Sequence, residues 1–193
     1  MISNEPLRAA LQAHAIVLQQ TVEECGPAII QISSLIVQCF QRGKKLILCG
    51  NGGSAADAQH IAAEFMNRFR FDRPPLPAFA LTTDTSVLTS IGNDSAFDCI
   101  FSRQVEAMAQ PGDILAGIST SGRSSNVLRA LEVARTQKVI TIGFTGTLGI
   151  QFMQSACDLM LAVPSTDTAR IQEAHEFAWH YICGVVESEL FPQ

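Results

Sequence analysis

A chain of 193 residues, 47% apolar and 16% charged, has the material for one well-filled domain over residues 1–193, which excludes a disordered protein. Its formal charge of −5 excludes general nucleic-acid affinity, because phosphate backbones attract basic surfaces. No apolar run is long enough for a membrane span and no basic-then-apolar leader opens the chain, so a cytoplasmic protein is expected, with no membrane partner.

Residues 5–42 read as helical, with Leu7, Leu11, His14 and Leu18 on one stripe and Ile32, Leu35, Ile36 and Cys39 on another. Gly26-Pro27 marks a break, giving an N-terminal helical pair. Two amphipathic helices exceed the cover that a five-stranded sheet needs, so residues 1–43 are expected to pack on another subunit. His14, on the apolar stripe, is expected to be a packed or interface residue.

Leu46 to Cys49 then read as a short buried strand, followed by a turn containing Gly50, Gly52 and Gly53. Ser54 can cap a helix beginning at Ala55. A strand, a glycine turn and a helix N-terminus make a site for an anionic or polyhydroxyl ligand. The order Gly-Asn-Gly-Gly-Ser is neither a dinucleotide nor an NTPase fingerprint, and taken alone it also fits ordinary turn chemistry. His60 and Glu64, at i and i+4, point to a common spot; that suits a metal site, an acid/base pair or a solvated surface pair. Pro74 and Pro75 end this segment, and Arg68, Arg70 and Arg73 read as a solvated or subunit-contact rim, or else an anion-facing patch.

Four more strands are expected, at 78–81, 114–118, 139–144 and 159–163, with a helix at 127–136. None shows period-2 alternation, which points to a parallel sheet covered on both faces, a three-layer α/β sandwich. Ligands of such sheets bind beyond the carboxyl ends of the strands, here the loops 50–54, 82–86 and 119–126. Residues 119–126, Ser-Thr-Ser-Gly-Arg-Ser-Ser-Asn, carry five hydroxyls ahead of a helix, and a phosphomonoester loop is favoured there over a Ser/Thr-rich cap. Asp167 can cap a last helix from Thr168 to about Leu190, with a buried stripe of Ile171, Ala174, Ala178, Ile182 and Val185. Gln172, Glu176 and His180 share an arc away from that stripe, with Trp179 beside them. Gln172 and His180 are on the order of 12 Å apart along the axis, so spacing alone does not make them co-ligands. His175 and His180, each taken alone, read as surface or structural residues. The six cysteines form no CxxC pair and read as reduced core thiols.

Taken in order, Cys49-Gly50-Asn51-Gly52-Gly53-Ser54, His60 with Glu64, Thr82-Thr83-Asp84, Gly92-Asn93-Asp94, Ser119-Thr120-Ser121-Gly122 and Ala169-Arg170-Ile171-Gln172-Glu173 resemble the phosphoheptose isomerases of the sugar-isomerase (SIS) superfamily. The resemblance runs from about residue 40 to the C-terminus. It implies an SIS-type, Rossmann-like fold and a homotetramer with active sites at subunit interfaces, each holding one zinc ion. The implied metal positions are His60, Glu64, Gln172 and His180. The implied substrate contacts are Asn51, Gly52, Gly53, Asn93, Asp94, Ser119, Thr120, Ser121, Ser124 and Gln172. The implied reaction interconverts sedoheptulose 7-phosphate and D-glycero-D-manno-heptose 7-phosphate, the first step toward ADP-heptose and lipopolysaccharide cores. Such an isomerisation passes through an enediol and needs an acid/base pair, for which Glu64 and His180 are the candidates. Two departures stand out: Arg123 within the serine loop, and Thr147-Leu148-Gly149-Ile150 where relatives tend to have a glycine pair. A related adaptor that binds a replication initiator has a tail similar to Glu189-Leu190-Phe191-Pro192. It lacks parts of the metal set, and a scaffold has no use for these four donors, so the isomerase is favoured. A sugar-phosphate-sensing regulator would need a DNA-binding domain that this chain does not carry.

Overall fold

The computed structural model describes residues 3–193 and contains one five-stranded, all-parallel sheet. Its strands are β1 (Leu46–Gly50), β2 (Ala78–Ala80), β3 (Ile114–Ile118), β4 (Ile140–Gly146) and β5 (Leu159–Val163), lying in the order β2-β1-β3-β4-β5. Leu46 pairs with Ala78 on one side and Ile114 on the other, and Ile118 pairs with Phe144. The helices are α1 (Glu5–Gln41), α2 (Gly53–Met66), α3 (Thr85–Asp94), α4 (Ser102–Met108), α5 (Ser125–Thr136), α6 (Ile150–Met153) and α7 (Thr168–Leu190).

The strands lack alternation because each face meets helices. Leu46, Leu48, Ile142 and Phe144 pack with α1, α2 and α7 on one side. Ile47, Cys49 and Leu115 pack with α4 and α5 on the other. The three-layer α/β architecture is as the sequence predicts. All six cysteines are unpaired thiols, and among the described residues no helix is long and apolar enough to cross a membrane.

The N-terminal pair is a correction: α1 is one continuous helix of 37 residues with Pro27 inside it. An interior proline costs about 3 kcal/mol through its missing N–H and its ring clash. Burying an isoleucine side chain contributes about 1.5–3 kcal/mol. Ile29, Ile32 and Ile36, all in the turns after Pro27, are at most 4% exposed against the core, and together they outweigh the break. Two smaller expectations also change. α2 starts at Gly53 with Gly52 as its cap residue, so Ser54 lies inside the helix and does not cap it. On α7 the buried stripe passes through Val186 rather than Val185, and Trp179 is fully buried, stacked on Phe144 at 4.3 Å. The cap by Asp167 is as expected, its Oδ1 accepting from the Ala169 amide at 2.9 Å.

His175 of α7 is wholly buried and packs edge-on against Phe144. The Thr145 carbonyl can only accept, so the 3.2 Å contact puts the ring proton on Nε2, while Nδ1 has no partner. Burial pulls the His175 pKa down to about 4, against a smaller upward pull from the Thr145 carbonyl. Above pH 6.5 the unfolded chain also holds this histidine neutral, so folding is not penalised there. As pH falls from 6.5 toward 4, the unfolded state takes up a proton that the folded state refuses, and stability is lost. By pH 5 the loss is about 2 kcal/mol, at about 1.4 kcal/mol for each pKa unit crossed. In His175→Gln, the stability difference between pH 7.5 and pH 5, measured by denaturant unfolding, is expected to shrink by about that amount. An unchanged difference rejects the assignment.

Candidate active site

The sheet order reverses between β1 and β3, and the loops leaving their carboxyl ends flank the crevice where such sheets bind ligands. Asn51, after β1, and Asn126, in the first turn of α5, exchange two amide hydrogen bonds of 2.8 and 2.9 Å across that crevice. The glycine loop and the serine loop are thereby held as one unit. Within the serine loop, Ser119 Oγ donates to Ser124 Oγ at 3.0 Å. Gly122 has φ +67°, a left-handed value that favours glycine, and its Cα sits against the Gly149 backbone.

This loop opens onto a cavity of about 160 Å³ lined by Thr120, Ser121, Arg123, Leu148, Ser165 and Thr168. Hydroxyls and one guanidinium in its wall suit a phosphate dianion. The Arg123 guanidinium lies 4.9 Å from the centre of the Phe152 ring, which holds it at the cavity edge. Both departures noted in the sequence, Arg123 and Leu148, are therefore parts of this wall. Asn93 and Asp94 stand at the exposed end of α3, a helix that buries no residue. Asn93 donates to Asp94 at 2.7 Å, and among the described residues no hydrogen bond joins either to the serine loop.

α2 and α7 run side by side in the same direction. Gly53 meets the Gln172 amide, Asp57 meets Glu176, and His60 meets Glu176 and His180. A constant offset of roughly 120 residues keeps successive turns of the two helices opposite each other, and so the i, i+4 sets on both converge. His60 Nε2 lies 3.1 Å from Glu64 Oε1 and 3.5 Å from His180 Nε2. His60 Nδ1 lies 3.2 Å from Glu176 Oε2, which is 3.7 Å from His180 Nε2. Of the four expected metal positions, His60 contacts both Glu64 and His180, but the residue that closes a three-donor group with the two histidines is Glu176 rather than Glu64, and Gln172 lies two turns along the seam against the glycine loop.

His60, Glu176 and His180 form a group able to hold a metal ion. Tetrahedral zinc with bonds of about 2.0–2.1 Å has ligand-to-ligand edges of about 3.4 Å. The His60–Glu64 and His60–His180 separations match that edge, and imidazole with carboxylate is a zinc-type donor set. The surrounding charge is also right for a cation. Asp57 adds a third carboxyl beside Glu64 and Glu176; burial first, then the Glu176 carboxylate, push its pKa up to about 7, against a downward pull from His60.

A second structure holds His180 in place. The Phe69 ring stacks on it at 5.6 Å and 20°. Phe69 sits in the loop after α2, and that loop is pinned by Glu187 of α7. The Phe69 and Arg70 amides donate to the two Glu187 oxygens at 3.0 and 2.8 Å, and Arg73 Nε donates at 3.1 Å. Burial alone would raise the Glu187 pKa, but these donors outweigh it and the carboxyl is held below its ordinary range. Arg73 is therefore not the rim residue that the sequence suggests: its side chain is 2% exposed and it also caps the Phe65 and Glu64 carbonyls. Arg68 and Arg70 are exposed.

Sequence reasoning missed Asp57 and the contact role of Glu176. The available signal was the shared arc of Gln172, Glu176 and His180 opposite Asp57, His60 and Glu64, but helix offset cannot be read from spacing.

Comparison with known proteins identifies the family. A family model described as the SIS domain matches residues 11–146. A phosphoheptose isomerase of Roseiflexus sp. (strain RS-1) is 52% identical over 183 residues, covering 95% of this chain and 92% of the relative. One of Synechocystis sp. is 56% identical over 169 residues, covering 88% and 86%. Among solved structures, phosphoheptose isomerase from Neisseria gonorrhoeae superposes with TM-score 0.90 at 41% identity, over 96% of this chain and 98% of that one. The enzyme from Francisella tularensis gives 0.92 at 37% identity, over 97% and 100%.

Proposed function

This chain belongs to the SIS-domain family and, within it, to the phosphoheptose isomerases, and on that premise we propose that it converts sedoheptulose 7-phosphate to D-glycero-D-manno-heptose 7-phosphate, feeding ADP-heptose and lipopolysaccharide-core synthesis. The group of His60, Glu176 and His180, with Glu64 3.1 Å from His60, supports this reading.

The serine loop, with Ser119, Thr120, Ser121 and Ser124, takes the 7-phosphate, and Asn51, Gly52, Gly53 and Gln172 line the path to the other end of the sugar. Ile171 at the phosphate cavity and His180 are nine residues apart, about 13 Å along the helix. Binding energy at the remote phosphate then becomes positioning at C1 and C2. Glu64 and His180 share the proton transfers between the two carbons and their oxygens that make and consume the enediol. His60, Glu64, Gln172 and His180 would hold the zinc ion, which when bound polarises the carbonyl and hydroxyl oxygens. Asn93 and Asp94 complete the substrate set in this proposal.

The site belongs to a homotetramer in this reading. Leu7, Leu11, Ile16, Val22 and Ile30 of α1 are each at least 50% exposed, and Phe177 and Tyr181 extend the same apolar face onto α7. The imidazoles of His60 and His180 are each 42% exposed, as expected of a site finished by a neighbouring subunit.

The test is incubation with sedoheptulose 7-phosphate and zinc, following aldose formation before and after chelation. Turnover that chelation removes is expected; no aldose product in either condition would leave the adaptor alternative standing. Ser119→Ala combined with Ser121→Ala is expected to raise KM about tenfold or more with kcat less affected, since each lost charge-assisted hydrogen bond weakens binding by about 1.5–3 kcal/mol. An unchanged KM rejects the phosphate loop.

A further inference from the structure

The two ring nitrogens of His60 face different partners. Nε2 lies 3.1 Å from Glu64 Oε1 and 3.5 Å from His180 Nε2, two of the expected metal positions. Nδ1, on the other side of the ring, lies 3.2 Å from Glu176 Oε2, an ion-pair contact whose N–H is not aligned as a hydrogen bond in this arrangement. A neutral imidazole carries one N–H, and a nitrogen that gives its lone pair to a metal cannot also carry the proton. Whatever fixes the proton on Nδ1 therefore exposes the Nε2 lone pair.

We propose that Glu176 is a positioning residue for the metal centre: its carboxylate accepts the Nδ1–H of His60, which fixes the tautomer and the ring plane so that Nε2 faces Glu64 and His180. This rests on the metal reading above and adds a residue to it. The placement suits the role. Glu176 lies one turn before His180 on the same helix, and Asp57, one turn before His60 on α2, also faces it. The Glu176 side chain is 27% exposed, so an acceptor sits there without a fully buried charge. A carboxylate behind a ligating histidine raises its basicity as well as aiming it, and losing such a partner typically costs 10–100-fold in metal affinity.

The contrast is with Glu176 as a ligand itself, since its Oε2 also approaches His180 Nε2 at 3.7 Å. The two roles separate in a titration of the purified, metal-free protein with Co(II), read by visible absorption and by competition with a chelator. Glu176→Ala is expected to bind one Co(II) per subunit with an absorption band like that of the wild type, but about 10–100-fold more weakly. Glu176→Gln, whose amide oxygen can still accept from Nδ1–H, is expected to recover most of that loss. In the zinc-loaded protein, a slowly exchanging imidazole N–H proton of His60 should be visible by NMR in the wild type and exchange fast in Glu176→Ala. Wild-type affinity in Glu176→Ala overturns the proposal. So does a changed Co(II) band with equal losses in the Ala and Gln variants, which is the result for a direct ligand. Failure of the wild type to bind Co(II) at all overturns the metal reading itself and this proposal with it.

Discussion

Glu64→Gln and His180→Gln are each expected to lower kcat by roughly 10²–10⁴-fold, the ordinary worth of a general acid or base, with fold and subunit association unchanged. Both side chains are partly solvent-exposed, 22% and 42%, so neither change leaves a deeply buried group without a partner. Glutamine in place of Glu64 keeps the shape and removes the base. Glutamine in place of His180 keeps a polar group and removes a proton carrier near neutral pH. Initial-rate measurements with sedoheptulose 7-phosphate, alongside gel filtration and thermal melting, decide the matter. Either variant retaining activity within a few-fold of wild type excludes the assigned chemistry, and a loss of assembly would place the effect in the fold instead.

Gly122→Ala carries the next largest effect. The residue stands at φ +67°, where an L side chain is strained, and an added Cβ would lie 2.6 Å from the Gly149 carbonyl oxygen and 2.9 Å from its carbonyl carbon. Both are backbone atoms, so no rotamer change relieves the clash. The left-handed conformation alone costs alanine about 1–2 kcal/mol, and separating the serine loop from the turn after β4 opens the wall of the phosphate cavity. The expected result is a KM raised by at least about thirtyfold, taking roughly 2 kcal/mol of lost phosphate contact as the floor. A fall in melting temperature should accompany it. A Cβ added at Gly149 would meet the Gly122 backbone from the other side, so Gly149→Ala should give a similar defect. Unaltered KM in both variants would show that the cavity does not receive the phosphate.

The sheet was legible because strands such as Leu46 to Cys49 and Ile114 to Ile118 are short, apolar and bounded by turn residues, so periodicity and length point the same way. α7 was legible at both ends for a local reason, since Asp167 caps its own helix. Pro27 was read as a helix break because a lone sequence shows the cost of proline but not the packing of Ile29, Ile32 and Ile36 that offsets it. The same limit applies to the site. His60 with Glu64 is visible as an i, i+4 pair, and the hydroxyl-rich loop is visible as composition. The parallel seam that sets Gln172 against Gly53 and Glu176 against His60 depends on how two helices far apart in sequence slide past each other. Arg73 was misplaced for a like reason: its partner, Glu187, is 114 residues away.

The unbroken α1 has a consequence for how the molecule exists in dilute solution. At about 1.5 Å per residue it is a rod some 55 Å long, and its first buried side chain is Thr21. Ahead of that point, side-chain ties run from α7 to His14 Nδ1 and the Ala10 carbonyl, at 2.6 and 3.0 Å. Four turns of helix with so little beneath them are marginal in water on propensity alone. In the proposed tetramer, ordering of this arm and meeting of subunits would be a single coupled equilibrium, and far-ultraviolet helicity is then expected to rise with protein concentration until assembly saturates.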